Sequence, residues 1–208
     1  MTLPNTISLG RMALVPVVAT MLWFDTPFMR WLALFFYVAA CVSDFVDGYL
    51  ARSTKQISVL GKMLDPVADK LMVSTVIFML VVTGRIEGID TIASLVILLR
   101  EFLVSSLREF LSNLNMRMHV TGVAKWKTAL QMFALGFLIV GDASPWFIPA
   151  LLIGSIGLWL AALLSVISAF AYVRTGIRGI ARYDRAQEKP QGKAKLSVKG
   201  RRIAPSSS

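Results

Sequence analysis

The 208-residue chain has little of what soluble enzymes use at their surfaces and sites. Its one cysteine, Cys41, excludes an intrachain disulfide framework and any multi-cysteine zinc site. Its one histidine, His119, reads as a solvated loop residue rather than a ligand or base. Charged residues make up 16% of the chain, against about a quarter in an average soluble domain. That scarcity argues against a water-soluble enzyme and against an intrinsically disordered chain. No basic region precedes the first apolar run, and Arg11 interrupts that run early, so no cleavable signal peptide is expected.

Apolar residues are abundant, at 56%. A bilayer core takes about 20 apolar residues per helix, and six runs approach that length: Ile7–Phe24, Met29–Ala51, Leu60–Val82, Thr91–Asn113, Lys125–Gly141 and Trp146–Val173. The breaks between them carry turn or polar residues. The expected fold is an all-α integral membrane protein with six transmembrane helices. The net charge of +10 suggests nucleic acid until it is mapped, because much of it lies in a tail after Ile180.

Alternate breaks hold Arg52, Lys55 and Lys62, then Arg117, Lys125 and Lys127, then the tail from Arg174 to Arg202. The opposite breaks hold only Arg30 and Arg85, beside Asp25, Glu87, Asp90 and Asp142. Basic loops stay on the cytoplasmic side, so both termini are expected there. Residues 1–182 read as the membrane domain. Residues 183–208, rich in Lys, Pro, Gly and Ser, read as a disordered tail attracted to anionic headgroups. Trp23, Trp31, Trp126 and Trp146 stand near span ends as interfacial anchors. Gly154, Gly157, Ser165 and Ser168 suggest close helix packing in the last span.

Four carboxylates interrupt this pattern. Asp44 and Asp47 end the second run, three residues apart; Asp65 and Asp69 begin the third, four apart. These spacings put each pair on one helix face, and the short loop between the runs lets the two faces meet near the cytoplasmic edge. Ionised carboxylates in a span are costly unless paired, metal-bound or solvated, and four together cannot stay ionised without cations. Oxygen ligands alone suit Mg²⁺ or Mn²⁺. Two such ions, bridged by shared carboxylates, commonly clamp phosphates. Gly48 and Ala51 keep the face of Asp44 and Asp47 open, and Gly61 does the same one turn before Asp65. Arg52 can grip a phosphate through two nitrogens.

Written out, the segment is Asp44-x2-Asp47-Gly48-x2-Ala51-Arg52-x8-Gly61-x3-Asp65-x3-Asp69, eight positions over 26 residues. It resembles, without departure, the signature of the CDP-alcohol phosphotransferase family. Leu3-Pro4-Asn5 with Arg11, Leu64–Lys70, Arg100–Phe110 and Lys125–Met132 resemble the family's bacterial members that make phosphatidylglycerophosphate. Ser8 stands where a threonine is expected and keeps the hydroxyl.

The resemblance implies a six-helix membrane fold of the CDP-alcohol phosphotransferase type, a homodimer, and a site facing the cytoplasm, in a bacterial inner membrane. It implies that Asp44, Asp47 and Asp65 hold two divalent cations, and that Asp69 holds one and acts as general base. Gly48, Arg52 and Ser58 would contact the donor's CDP, with Ala51 and Gly61 beside it; Asn5, Ser8 and Arg11 would close the nucleotide site. The implied reaction moves the phosphatidyl group of CDP-diacylglycerol to sn-glycerol 3-phosphate and releases CMP. The acceptor's phosphate needs cations, for which Arg100, Arg108, Lys125, Lys127 and Arg117 are the candidates. Phosphatidylglycerol, inositol phosphate or serine as acceptor remains an alternative within the family, and a cation-coupled transporter an alternative outside it.

Overall fold

A computed structural model describes the backbone of residues 3–24, 26–54, 59–113 and 122–200, and the side chains of residues 9–24, 26–43, 67–68, 70–112 and 126–180. Six α-helices follow one another: α1 Leu3–Phe24, α2 Pro27–Thr54, α3 Val59–Val82, α4 Asp90–Asn113, α5 Gly122–Val140 and α6 Ala150–Gly200. A single 3-10 turn, Gly141–Ala143, follows α5, and no strand occurs among the described residues. The all-α expectation is met, and α1 to α5 each cover one of the first five apolar runs.

The last helix differs at both ends. It begins after Pro149 rather than at Trp146, because prolines at 145 and 149 lack an N–H and bias the residue before them away from helix. Beyond Val173 its backbone stays helical to Gly200. Extending an existing helix adds a hydrogen bond per residue without a new nucleus, and Arg, Ala, Gln, Glu and Lys extend it readily. The stretch that composition reads as a disordered tail is therefore helical in backbone up to Gly200.

The chain divides into two compact units, residues 1–102 with 120–168, and residues 103–119 with 169–208. In the larger unit α1 packs along both α2 and α3, and α5 packs against the same two helices. Its core follows a helical period: Val18 and Leu22 on α1, Met72, Val76 and Leu80 on α3, and Leu135 and Leu138 on α5 are all buried. In the smaller unit Gly176 of α6 faces Leu107 and Leu111 of α4, close enough that a Cβ there would lie 3.2–3.3 Å from their methyl groups.

Polarity is inverted relative to a soluble protein. Trp23, Phe35, Phe78, Leu99, Phe133 and Phe170 are exposed, while Arg11, Arg100, Lys127, Gln131, Ser165 and Ser168 are buried. Exposed apolar surface on this scale marks contact with something other than water. One stretch of the described residues, Ala150–Ile180, is long and apolar enough to cross a membrane; Leu9–Phe24, Pro27–Ser43 and Lys70–Val82 are shorter apolar stretches.

The less basic breaks gather at one end of the larger unit. Thr26 caps α2 through a hydrogen bond from Met29 N to its Oγ1 (3.3 Å), with Pro27 at the first helical position, where no N–H is needed. Gly84 (φ +69°) follows α3 and Gly141 (φ +52°) follows α5, both in the left-handed region that suits glycine after a helix. Arg85 donates from Nη1 to the Ile139 carbonyl (3.3 Å), its Cδ 3.4 Å from where a Cβ of Gly141 would stand. Burial lowers the Arg85 pKa from its ordinary value, and Asp142 partly restores it. Trp31 Nε1 donates to the Ala143 carbonyl (3.2 Å), and Arg30 lies 4.0 Å from Asp142.

The small residues of α6 pack as the sequence suggests. A Cβ on Gly157 would stand 2.9 Å from the Ala134 Cβ of α5, and one on Gly154 would stand 2.6 Å from Leu138 Cγ. Gly157→Ala is expected to lower stability by about 1–3 kcal/mol, since two backbone-fixed methyl groups must separate. Gly10→Ala, with nothing within 4 Å, is expected to be neutral or slightly stabilising. Thermal unfolding of the two variants in detergent checks the contrast.

Candidate functional site

The signature acids fall on two helices. Asp44 and Asp47 lie on α2, with Gly48, Ala51 and Arg52 following toward its C-terminus; Gly61, Asp65 and Asp69 lie in the N-terminal half of α3. Continuous helical backbone through both segments keeps the three- and four-residue spacings on one face of each helix. Both helices pack on α1, which carries Asn5, Ser8 and Arg11. The side chains of Asn5, Ser8, Asp44, Asp47, Arg52, Asp65 and Asp69 lie outside the described residues, as does Ser58 entirely. The donor set fits hard divalent cations: four carboxylates in two helical pairs, with no cysteine or histidine between them.

Arg11 is described, and it is buried. It lines a small cavity with Tyr37 and Cys41 of α2 and Met72 and Val73 of α3.

The basic residues of the proposed acceptor side divide. Arg100 is buried, donates from Nη2 to Ser168 Oγ (2.8 Å), and lies 3.2 Å from Glu101 Oε1 through Nη1. The Ser168 hydroxyl in turn donates to the Ser165 carbonyl (3.0 Å). Lys127 is 1% exposed and bonds to the same Glu101 oxygen. The structure therefore brings Arg100 and Lys127 together on one carboxylate. Arg108 belongs to the smaller unit, where its guanidinium lies 5.5 Å over the Tyr172 ring and its Nη2 3.5 Å from the Tyr172 hydroxyl. Lys125 lies in the first turn of α5, its side chain outside the described residues, and Arg117 lies outside them altogether.

Two residues of this arrangement carried no role in the sequence reading. Glu101 and Gln131 fell within the segments Arg100–Phe110 and Lys125–Met132 without a part of their own. Ser168 was read as a small packing residue, and it packs as one while accepting a hydrogen bond from a buried arginine. A buried cation in an apolar helix does signal that some acceptor must meet it, but not which one.

Comparison with known proteins gives the family. The profile described as CDP-alcohol phosphatidyltransferase matches residues 1–171. A protein of Rickettsia bellii named CDP-diacylglycerol–glycerol-3-phosphate 3-phosphatidyltransferase is 43% identical over 172 residues, covering 83% of this chain and 93% of the relative. The protein of the same name from Rickettsia typhi is 41% identical over 83% of this chain and 95% of its own. That of Cereibacter sphaeroides is 45% identical over 144 residues, 67% of this chain and 64% of the relative.

The buried triad makes a stability prediction. Glu101→Leu leaves Lys127 buried without this carboxylate and is expected to cost about 3–5 kcal/mol. Adding Lys127→Met should recover much of that loss, because the stranded charge is gone. Unfolding of both single variants and the double variant in detergent gives the coupling energy, and simple additivity would refute the pairing.

Proposed function

The chain belongs to the CDP-alcohol phosphatidyltransferase family, and from that premise we propose that it is a membrane enzyme of phosphatidylglycerophosphate synthesis. It transfers the phosphatidyl group of CDP-diacylglycerol to sn-glycerol 3-phosphate and releases CMP. The observation that carries this reading is the complete acidic signature on α2 and α3, in a chain whose similar relatives bear that activity in their names. Family membership sets the transporter alternative aside.

The chemistry follows from the residues. The acceptor's C1 oxygen attacks the phosphorus that carries the diacylglycerol. The bond from that phosphorus to the CMP oxygen breaks, and its electron pair leaves with CMP. Asp69 takes the proton of the attacking hydroxyl. Asp44, Asp47, Asp65 and Asp69 would hold two Mg²⁺ or Mn²⁺ ions, which neutralise the pyrophosphate and the charge developing on the leaving group. Gly48, Ala51 and Gly61 leave room for the nucleotide, Arg52 and Ser58 contact it, and Asn5, Ser8 and Arg11 close over it. Arg100, Arg108, Lys125, Lys127 and Arg117 supply the positive field for the acceptor's phosphate.

The proposal includes six spans in a bacterial cytoplasmic membrane, both termini and the site on the cytoplasmic face, and a homodimeric assembly. Residues 1–182 form the catalytic domain, and the basic segment 183–208 lies against anionic headgroups. The inverted polarity supports the spans: phenylalanine, leucine and tryptophan side chains face outward along α1 to α6, and the buried cations face inward. The gathering of the less basic breaks at one end supports the sidedness. A donor with its acyl chains in the bilayer and its cytidine in water needs a site at that boundary.

Purified protein with CDP-diacylglycerol and Mg²⁺ should release CMP with glycerol 3-phosphate and not with phosphatidylglycerol, inositol phosphate or serine. Chelation should abolish turnover, and Mg²⁺ or Mn²⁺ should restore it. Asp69→Asn should lower kcat about 10²- to 10⁴-fold, the usual worth of a general base. Turnover with phosphatidylglycerol in place of glycerol 3-phosphate would overturn the acceptor assignment and keep the donor site.

A further inference from the structure

A small polar hollow of about 50 Å³ opens in the larger unit, lined by Lys70, Val73 and Ser74 of α3, Glu101 of α4, and Thr128 and Gln131 of α5. Inside a helix bundle, several hydrogen-bonding groups around one space are expensive unless something occupies it. Two observations say what fits. Gln131 is 3% exposed, and among the described residues its Oε1 has no hydrogen-bond partner. A buried carbonyl oxygen left this way is an acceptor waiting for a donor. Glu101 is held by Arg100 and Lys127 through one oxygen, Oε1. Lys70 adds an ammonium to the lining, beside a carboxylate whose charge two buried cations already share. The hollow therefore suits a small anion that also carries a neutral O–H donor.

Its place along α3 connects it to the chemistry. Lys70 directly follows Asp69, and Val73 lies one turn beyond Asp69 on the same helical stripe. A ligand in the hollow lies alongside the position proposed for the general base.

We infer that this hollow reads the glycerol of the acceptor: the C2 hydroxyl donates to Gln131 Oε1, and Lys70 and Ser74 are the donors within reach of its lone pairs. Gln131 is then a specificity-determining residue, and Lys127, buried behind Glu101 as its counterion, contributes to the positive field without touching the phosphate. This rests on the glycerol 3-phosphate reading above. Its consequence is selection for a hydroxyl at C2, since a site built to pair a hydroxyl rejects the analogue that lacks it.

The test pairs a substrate change with a residue change. CMP release by the full chain in detergent, with CDP-diacylglycerol and Mg²⁺, is measured for glycerol 3-phosphate and for 3-hydroxypropyl phosphate, which has no C2 hydroxyl. The unmodified protein should prefer glycerol 3-phosphate by roughly 10- to 100-fold in kcat/KM, the loss expected when a buried acceptor goes unpaired. Gln131→Leu should lose about that factor with glycerol 3-phosphate, change little with the analogue, and keep its KM for CDP-diacylglycerol. Its Tm without acceptor should stay level or rise, because the buried Oε1 has no partner to lose. Equal losses on both acceptors, no preference in the unmodified protein, or a clear fall in Tm would each overturn the inference while leaving the glycerol 3-phosphate reading intact. Turnover of phosphatidylglycerol with none of glycerol 3-phosphate would instead sink that reading, and the inference with it.

Discussion

Glu101 lies between Lys127 and Arg100 in the interior of the bundle and shares one oxygen with both. The cost of removing an ammonium and a guanidinium from water is large, and a shared carboxylate offsets it only with good geometry. Here the geometry also ties helices together: Glu101 joins α4 to α5 through Lys127, and Arg100 joins α4 to α6 through Ser168. The relative placement of α4, α5 and α6 in the larger unit is thereby coupled to keeping these charges satisfied. Glu101 of this network also lines the polar hollow, beside side chains of α3 and α5.

The remaining packing serves the same requirement with smaller residues. Gly154 and Gly157 let α6 approach α5 so closely that a methyl group would not fit. That approach involves the helix that supplies the Ser168 hydroxyl to Arg100 and the Ser165 carbonyl to Ser168. At the opposite ends of the helices, Gly84, Gly141 and Arg85 close α3 and α5 with left-handed turns and one buried guanidinium. Apolar side chains left over from this arrangement face outward, where a bilayer and not water is the suitable solvent.

The polar inventory divides into two chemical kinds. One kind, the acids of α2 and α3, is placed by helical spacing alone and suits cations and phosphates. The other, the mixed group of Lys70, Ser74, Glu101, Thr128 and Gln131, comes from three helices and suits hydroxyls as well as charge. A transferase that joins a nucleotide-activated lipid to a phosphorylated polyol needs both kinds near one another, and α3 carries residues of each. Position 69 and position 70 are where they adjoin.

How much of this could be read beforehand depended on whether a residue's anomaly was local. Four aspartates in apolar runs are conspicuous anywhere, and their spacing within 26 residues specifies a shared face without knowledge of the fold. Helix number, the six apolar runs and the small residues of the last run were legible for the same reason: each depends on periodicity within one segment. Glu101, Gln131 and Ser168 are ordinary in their own segments. Their meaning comes from neighbours 26, 57 and 68 residues distant, such as Lys127, Ser74 and Arg100. The sequence by itself determined the helices, the family and the acidic signature, because those follow from short-range spacing and solvent preference. Only the tertiary structure decided which cations share a carboxylate and where an amide is left without a partner, because burial is a property of packed helices and not of any one of them.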